Sequence, residues 1–184
     1  MPDRWNTWSS DLLLVKDTAY IYQGDFFNAC YAPDMSTGLA GLLGGKGRVE
    51  DWSGGSGPFK ARYYTDSSLP RHTIYAPVAV SPNKRLPLLV WANGACDLNG
   101  AAFSNYLTEI ASHGFIVVAN GNPRKAWGGK GSGGPPPAAG EKSRASMLTQ
   151  SIDWAEKGAA GGKYGLVDMG KVGVAGQSCG GVER

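Results

Sequence analysis

A chain of 184 residues, 42% of them hydrophobic, is long enough for one domain with a buried core. The formal net charge is +3 and the Lys and Arg residues are scattered. No basic stripe therefore indicates a nucleic-acid partner, and no charge run indicates a membrane surface. The three cysteines, Cys30, Cys96 and Cys179, are too few and too far apart for a zinc pattern or a dense disulfide framework.

The N-terminal segment 1–48 is the part of the sequence that predicts least. It is rich in aromatic residues, but they follow no sustained period, so we interpret it as an unassigned N-terminal extension. Its longest aliphatic run is residues 12–15. A secretory signal needs at least about 7 apolar residues, and a membrane helix about 18. The sequence therefore shows no export signal and predicts no transmembrane segment. It specifies neither the compartment nor the oligomeric state.

Residues 49–184 are predicted to form one domain with regular elements. The first two strands flank a turn and are expected to pair as an antiparallel hairpin at a sheet edge. The later strands are continuous apolar runs, which is typical of strands buried on both faces. In order, the patterns predict strands at 59–64, 72–76 and 86–92, a helix at 103–111, a strand at 115–119, a helix at 143–157 and a strand at 171–175.

Strands alternate with helices after residue 86, and this order predicts a parallel sheet with helices on its faces. Ligands of such sheets bind at the carboxyl ends of the strands. Two loops are expected at that end of this sheet. They are residues 93–100, after the strand at 86–92, and residues 176–180, after the strand at 171–175.

Residues 176–180, Gly-Gln-Ser-Cys-Gly, match Gly-x-Ser-x-Gly, the pattern of a nucleophile elbow. In this device a strand ends in a sharp turn, a helix follows, and the serine lies at the tip with a strained backbone. The flanking glycines are needed because strand and helix pass too close for a Cβ. The alternative is a glycine-rich turn of the kind that can follow any strand. The apolar run before the motif and the additional Gly181 favour the elbow, with Ser178 as the nucleophile.

The loop after the strand at 86–92 is expected to complete an oxyanion hole. Ester hydrolysis passes through a tetrahedral intermediate with negative charge on the former carbonyl oxygen, and each preset N–H that holds it contributes about 3–4 kcal/mol. One donor is expected from Cys179, the residue after the serine. The other is expected from Ala95, with Cys96 as the second choice. An ordinary strand-to-helix turn is the alternative for this loop.

Cys96 and Cys179 lie on the two loops that are expected to converge. A disulfide requires Cα atoms about 4.4–6.8 Å apart, which convergence of the loops makes plausible. Such a bridge would fix both donors in place. Two small buried thiols are the other possibility, and the sequence leaves both open.

With these residues, the chain resembles the N-terminal half of an α/β-hydrolase. More narrowly, it resembles the serine esterases related to dienelactone hydrolases and cutinase-like polyester hydrolases. The likeness covers about residues 50–184 and is carried by residues 88–96, 107–121, 167–168 and 176–181. It implies a three-layer α/β-hydrolase sheet with helices on both faces, a Ser-His-Asp triad, no metal and no organic cofactor. The implied substrate is a small-molecule or polymeric ester. Proteins of this family are often secreted.

The triad partners are where the chain departs from the family. In this fold the order is Ser, then Asp or Glu, then His. Only six residues follow Ser178, and none of them is His or Asp. The two histidines, His72 and His113, lie upstream and are interpreted as structural. In addition, Gln177 stands where the family's elbow usually has His, a position that does not perform the chemistry.

None of the nearby acids fits the role of triad acid. Asp97 and Asp168 are expected in loops, and Glu183 follows the serine too closely to reach back. Without a base a serine hydroxyl is a poor nucleophile, and loss of triad members leaves about 10³–10⁴-fold over water.

The sequence therefore predicts the N-terminal part of a serine carboxylic-ester hydrolase that acts through an acyl-enzyme, truncated after the elbow. Alone, it is expected to be inactive and to aggregate through an exposed strand edge. The rival interpretation is a non-catalytic α/β-hydrolase fragment that serves as a binding or interaction module.

Overall fold

The computed structural model describes residues 51–81 and 83–182, together with the backbone of two short N-terminal strands. The chain divides into two units, Met1–Glu50 and Asp51–Arg184. In the first unit, β1 (Leu12–Leu14) pairs antiparallel with β2 (Tyr20–Tyr22). The remainder of the predicted N-terminal extension lies outside the described residues, as does Glu183.

The second unit is built on a five-stranded mixed sheet. In chain order its strands are β3 (Ala61–Tyr64), β4 (His72–Pro77), β5 (Arg85–Ala92), β6 (Ile116–Asn120) and β7 (Leu166–Gly176). In space their order is β3-β4-β6-β5-β7. The hairpin of β3 and β4 is antiparallel, and β4 runs antiparallel to β6. The strands β6, β5 and β7 run parallel to one another. The predicted hairpin thus forms one edge of this sheet, and among the described residues β7 forms the other.

Helices cover both faces of the sheet. They are α1 (Ser104–Ser112), α2 (Ala145–Glu156), α3 (Ala159–Gly162) and α4 (Cys179–Val182). Trp91 of β5 packs edge-on against Tyr106 of α1, with ring centroids 5.3 Å apart. Its neighbour Val90 belongs to the core cluster that contains Leu148 and Trp154 of α2. Because successive side chains of a strand point to opposite faces, α1 and α2 lie on opposite sides of the sheet. The unit is therefore a layered α/β fold.

The central strands carry two loops to the same end of the sheet. Every residue of β6 is buried, and so are the last five residues of β5. Their continuous apolar sequences suit parallel strands that are covered on both faces. Because β5 and β7 are parallel, with Ala92 paired to Gly176, the segments that follow them emerge side by side. These segments are residues 93–97, the first part of the loop predicted at 93–100, and residues 176–180, the other loop predicted at this end.

Strand β7 is longer than predicted, and this corrects the position of Asp168. The sequence placed a strand at 171–175 and Asp168 in a loop. That placement was wrong, because the first three residues of β7 pair with the first three of β5, Asp168 lying opposite Pro87. The register then moves to Leu88 and Val172, which leaves residues 169–171 as a bulge. Proline has no N–H for the ladder, and the irregularity stands directly after Pro87.

Candidate functional site

Ser178 lies at the tip of the turn between β7 and α4, which we call the serine turn (residues 176–180). Its side chain is exposed, and its backbone has φ +52°. The amides of Gly180 and Gly181 close the turn by donating to the carbonyls of Gln177 and Ser178 at 3.0 and 2.9 Å. A left-handed conformation costs a residue with a Cβ about 1–2 kcal/mol. The surrounding structure therefore holds the serine in a conformation that it would not adopt by itself.

Two glycines allow the serine turn to close against the sheet. A Cβ on Gly180 would lie 2.2 Å from the carbonyl oxygen of Ala92 in β5. A Cβ on Gly176 would lie 2.5 Å from the carbonyl carbon of Gly180. Both contacts are with backbone atoms, which cannot move aside as the end of a side chain can. The structure thus gives a steric reason for glycine at both outer positions of the motif.

The second loop, which we call the Asn93 loop (residues 93–97), also contains left-handed backbone. It forms a short 3-10 turn at Gly94–Cys96, in which Ala95 has φ +56° and Cys96 has φ +49°. The amide of Asp97 donates to the carbonyl of Gly94 at 3.1 Å. Neither Ala95 nor Cys96 is a glycine, so this loop too is held by contacts outside its own backbone.

The side chain of Asn93 is the centre of the hydrogen bonds that hold this loop. It is fully buried, and its Oδ1 accepts a hydrogen bond from the indole Nε1 of Trp91 at 2.9 Å. Its Nδ2 lies 3.0–3.1 Å from the carbonyl oxygens of Asp97, Asn99 and Asn120. An amide NH₂ has two hydrogens, so three acceptors share them. Asn93 therefore ties the start of the loop to its end and to β6.

Two residues before α2 hold the outer side of the Asn93 loop. The ammonium group of Lys142 donates to the carbonyl of Ala95 at 3.0 Å. The amide of Ser143 donates to the carbonyl of Cys96 at 2.9 Å. Sequence reasoning identified neither these two residues nor the role of Asn93. The position of Asn93, directly after a buried strand, was the only signal in the sequence that pointed to it.

A disulfide between Cys96 and Cys179 joins the two loops covalently. The Cα atoms are 5.3 Å apart, and the cysteines are 83 residues apart in the chain. This resolves the alternatives left open by the sequence in favour of the bridge. Two further contacts join the same loops. The amide of Gln177 donates to the carbonyl of Ala92 at 3.2 Å, and the end of the Gln177 side chain occupies the space beside Gly94 where a Cβ would lie.

The structure brings the three predicted site residues to the same end of the sheet. Ser178 and Cys179 are adjacent in the serine turn, and Ala95 precedes the half-cystine that is bonded to Cys179. Among the loop and cap hydrogen bonds of the described residues, none is donated by the amide of Ala95 or Cys179. These two N–H groups are thus not engaged by the turns around them. They are suited to a negatively charged oxygen near the serine hydroxyl.

Neither histidine of the chain is directed toward the serine. His72 is buried, and its ring nitrogens lie 2.9 and 3.0 Å from the carbonyl oxygens of Pro70 and Met147. Burial lowers the pKa of His72 below its usual range, against the effect of these two carbonyls. His113 follows α1 at the other end of β6, and its Nε2 lies 3.0 Å from the carboxylate of Glu109. Both positions agree with structural roles.

The two candidate acids have partners of their own. Asp97 ends the Asn93 loop, and its carboxylate lies 3.7 Å from the guanidinium of Arg124. In β7, the carboxylate of Asp168 accepts a hydrogen bond from the amide of Gly170 at 3.1 Å and lies 3.8 Å from the ammonium of Lys171. Asp168 is therefore engaged at the β-bulge, at the opposite end of β7 from Ser178.

A surface cavity of about 240 Å³ lies beyond the carboxyl end of β6 and the amino end of the antiparallel β4. Arg71 and Glu141, which form an ion pair with each other, line this cavity. Leu98, just after the Asn93 loop, also lines it. The three prolines at 135–137 contribute to the lining. Ser178 does not line this cavity, so the cavity is separate from the space directly above the serine.

The described residues show no sign of two other kinds of site. They include no helix that is long and apolar enough to cross a membrane. The same residues contain no group of three or more His, Cys, Asp or Glu side chains arranged to hold a metal ion. In comparisons with known proteins, no protein-family model matches the chain and no curated protein matches it either.

Proposed function

We propose that the second unit is an α/β-hydrolase-type domain in which Ser178 is the nucleophile of a carboxylic-ester hydrolase. The observation that carries the proposal is the backbone of this serine. It stands exposed at φ +52° between a parallel strand and a helix, with glycines at the two positions where a Cβ would meet backbone. Backbone strain of this kind persists where the surrounding structure enforces it, and it concentrates at functional sites.

In this proposal each of the three residues has its own role. The Ser178 hydroxyl oxygen attacks the ester carbonyl carbon, and the electron pair of the C=O bond moves to the carbonyl oxygen. The amides of Ala95 and Cys179 hold that oxyanion. Collapse of the intermediate expels the alkoxide, which takes up the proton that a base removed from the Ser178 hydroxyl during the attack, and leaves an acyl-serine. Water then hydrolyses the acyl-serine by the same steps.

Neither histidine of the chain can serve as the proton acceptor that this mechanism needs. His72 has both ring nitrogens against backbone carbonyls, and His113 lies at the opposite end of the sheet. An imidazole from outside these positions is needed to remove the proton of Ser178. The 184-residue chain by itself is therefore expected to acylate slowly and to turn over very little.

Acylation in the presence of free imidazole tests this proposal. The chain is incubated with p-nitrophenyl butyrate, with and without imidazole, and the acylated peptide is identified by mass spectrometry. We expect one butyryl group on Ser178, formed faster with imidazole and absent from Ser178→Ala. The matched control is Ser132→Ala, since Ser132 is also exposed but lies in a glycine-rich loop. Butyrylation spread over several serines, or unchanged in Ser178→Ala, would contradict the proposal.

A non-catalytic binding module is the second candidate. The observation that favours it is the engagement of both histidines with other partners. In that case the amides of Ala95 and Cys179 would hold an anionic oxygen of a ligand without covalent chemistry. The same experiment separates the two candidates. A module of this kind gives no butyryl-serine with or without imidazole, although titration calorimetry would detect binding of butyrate that Ser178→Ala leaves intact.

A further inference from the structure

The disulfide joins the two loops that carry the donor amides of the proposed oxyanion hole. Cys179 supplies one donor amide and is itself a half-cystine. The other half-cystine, Cys96, is the residue next to Ala95, which supplies the second donor. Both cysteines are partly exposed to solvent, and so are the neighbouring Ser178 and Ala95. Attack on a disulfide needs access to a sulfur atom, and neither half-cystine is a buried residue.

Breaking the bridge would free backbone that is held in an unfavourable conformation. Three of the non-glycine residues with positive φ lie in the two bridged loops, at Ala95, Cys96 and Ser178. After loss of the bridge, the hydrogen bond from Gln177 to Ala92 still ties the serine turn to β5. The Asn93 loop keeps its bonds to Lys142 and Ser143. The Gln177 side chain also still packs beside Gly94, but none of these contacts joins residue 95 or 96 to residue 179, so none fixes the distance between the two donor amides.

We propose that the Cys96–Cys179 disulfide makes the acyl-transfer site redox-dependent, active with the bridge closed and weakened with the bridge open. This inference rests on the proposed function. A dithiol reductant supplies the two electrons and two protons. One of its thiolates attacks a bridge sulfur and forms a mixed disulfide. That attack expels the partner cysteine as a thiolate, and the second thiol of the reductant then displaces the protein sulfur held in the mixed disulfide. The protein is left with two thiols, and the reductant becomes a cyclic disulfide. Oxidised glutathione reverses the change.

The test measures two properties of the same samples, oxidised, reduced with dithiothreitol, and reoxidised with oxidised glutathione. The first is the rate at which a fluorophosphonate labels Ser178 in the presence of imidazole. The second is amide hydrogen exchange over residues 93–97 and 176–182, which requires no chemistry at the serine. Loss of one oxyanion donor lowers rates about 10²–10³-fold, so we expect reduction to slow labelling at least about tenfold. Exchange in both loops should rise, and reoxidation should reverse both effects.

Variants separate the bridge from other effects of the reductant. Cys96→Ala with Cys179→Ala is expected to label as slowly as the reduced chain and to ignore dithiothreitol. Cys30→Ser is the matched control and should respond to reduction as the unmodified chain does. Equal labelling or equal exchange in the two redox states would overturn the redox inference and leave the proposed function standing. No labelling in either state would overturn both. Exchange of β5 and β6 as fast as that of the two loops on reduction would also overturn the inference, because reduction would then unfold the whole unit and not only loosen the loops.

Discussion

Replacing Gly180 with alanine places a methyl group in space that the backbone of β5 already occupies. The new Cβ would lie 2.2 Å from the carbonyl oxygen of Ala92 and 2.4 Å from its carbonyl carbon, whereas ordinary contact begins at 3.4 Å. Helix α4 would have to move away from β5 by roughly 1 Å, since neither partner is a flexible side chain. Overpacking of this kind costs about 1–3 kcal/mol. We therefore expect Gly180→Ala to lower the free energy of unfolding by about 2 kcal/mol or more.

Gly181→Ala is the matched control, because it adds the same methyl group one residue further along α4. Its Cβ would lie 3.4 Å from the carbonyl oxygen of Gly176, which is ordinary contact. An alanine is more favourable than a glycine inside a helix by about 1 kcal/mol. Gly181→Ala should therefore be as stable as the unmodified chain, or slightly more stable.

Urea denaturation followed by tryptophan fluorescence, with the disulfide intact, measures both variants. The expected result is a lower transition midpoint for Gly180→Ala alone, with unchanged dependence on urea concentration. Fluorophosphonate labelling of Ser178 should fall in the same variant, because the turn that positions the serine is displaced. Equal midpoints for the two variants would refute the claim that α4 packs directly on β5 through Gly180.

Three further changes test other contacts. Removing the bridge with Cys96→Ala and Cys179→Ala opens a loop of more than 80 residues in the unfolded chain. The added chain entropy should lower the free energy of unfolding by about 4–5 kcal/mol. A decrease below 1 kcal/mol in urea denaturation would count against this expectation. Burial lowers the pKa of His72, so stability should be complete above its unfolded value near 6.5 and decline as the pH falls toward the lower folded pKa. Urea midpoints between pH 7.5 and 5 should show this decline in the unmodified chain and in His113→Gln, but much less in His72→Leu. An equal decline in all three would refute the claim that His72 causes it. Hydrogen bonds from Lys163, Tyr164 and Ser68 hold the pKa of Asp66 well below its ordinary 3.8, so the stability they contribute is present above pH 4 and lost at lower pH. Asp66→Asn should therefore lower the free energy of unfolding by about 1–3 kcal/mol at pH 7 and flatten the decline of the urea midpoint at acid pH. An unaltered decline at acid pH would show that Asp66 is not the responsible group.

The parts of the fold that the sequence predicts are those in which local pattern and burial agree. The apolar runs that became β5 and β6, and the helical spacing that became α1 and α2, are local signals strong enough to place each element within a few residues. The close approach of strand and helix that the glycines of the motif at 176–180 predict is likewise present, because a Cβ on Gly176 or Gly180 would meet backbone atoms of the motif or of β5. The catalytic role of its serine stays a prediction. The mixed α/β sheet and the edge hairpin follow from the order of these elements.

Other features depend on pairing across the fold and leave no local signal. The first half of β7 contains Asp168, Gly170 and Lys171, which do not favour a strand, and it is held there by its pairing with β5. The disulfide depends on how closely two loops converge, which spacing along the chain does not give. In the sequence, Asn93 resembles any polar loop residue. Only the structure shows that its side chain has four hydrogen-bonding partners.

The selectivity of a fluorophosphonate for Ser178 is the most direct test of the central claim that this serine is a positioned nucleophile. The oxidised chain is treated with a limiting amount of the probe in imidazole buffer, and every labelled serine is quantified by peptide mapping. We expect Ser178 to react at least about tenfold faster than Ser132, which is also exposed, because only Ser178 lies beside the two proposed oxyanion donors. Equal labelling of the two serines would contradict it.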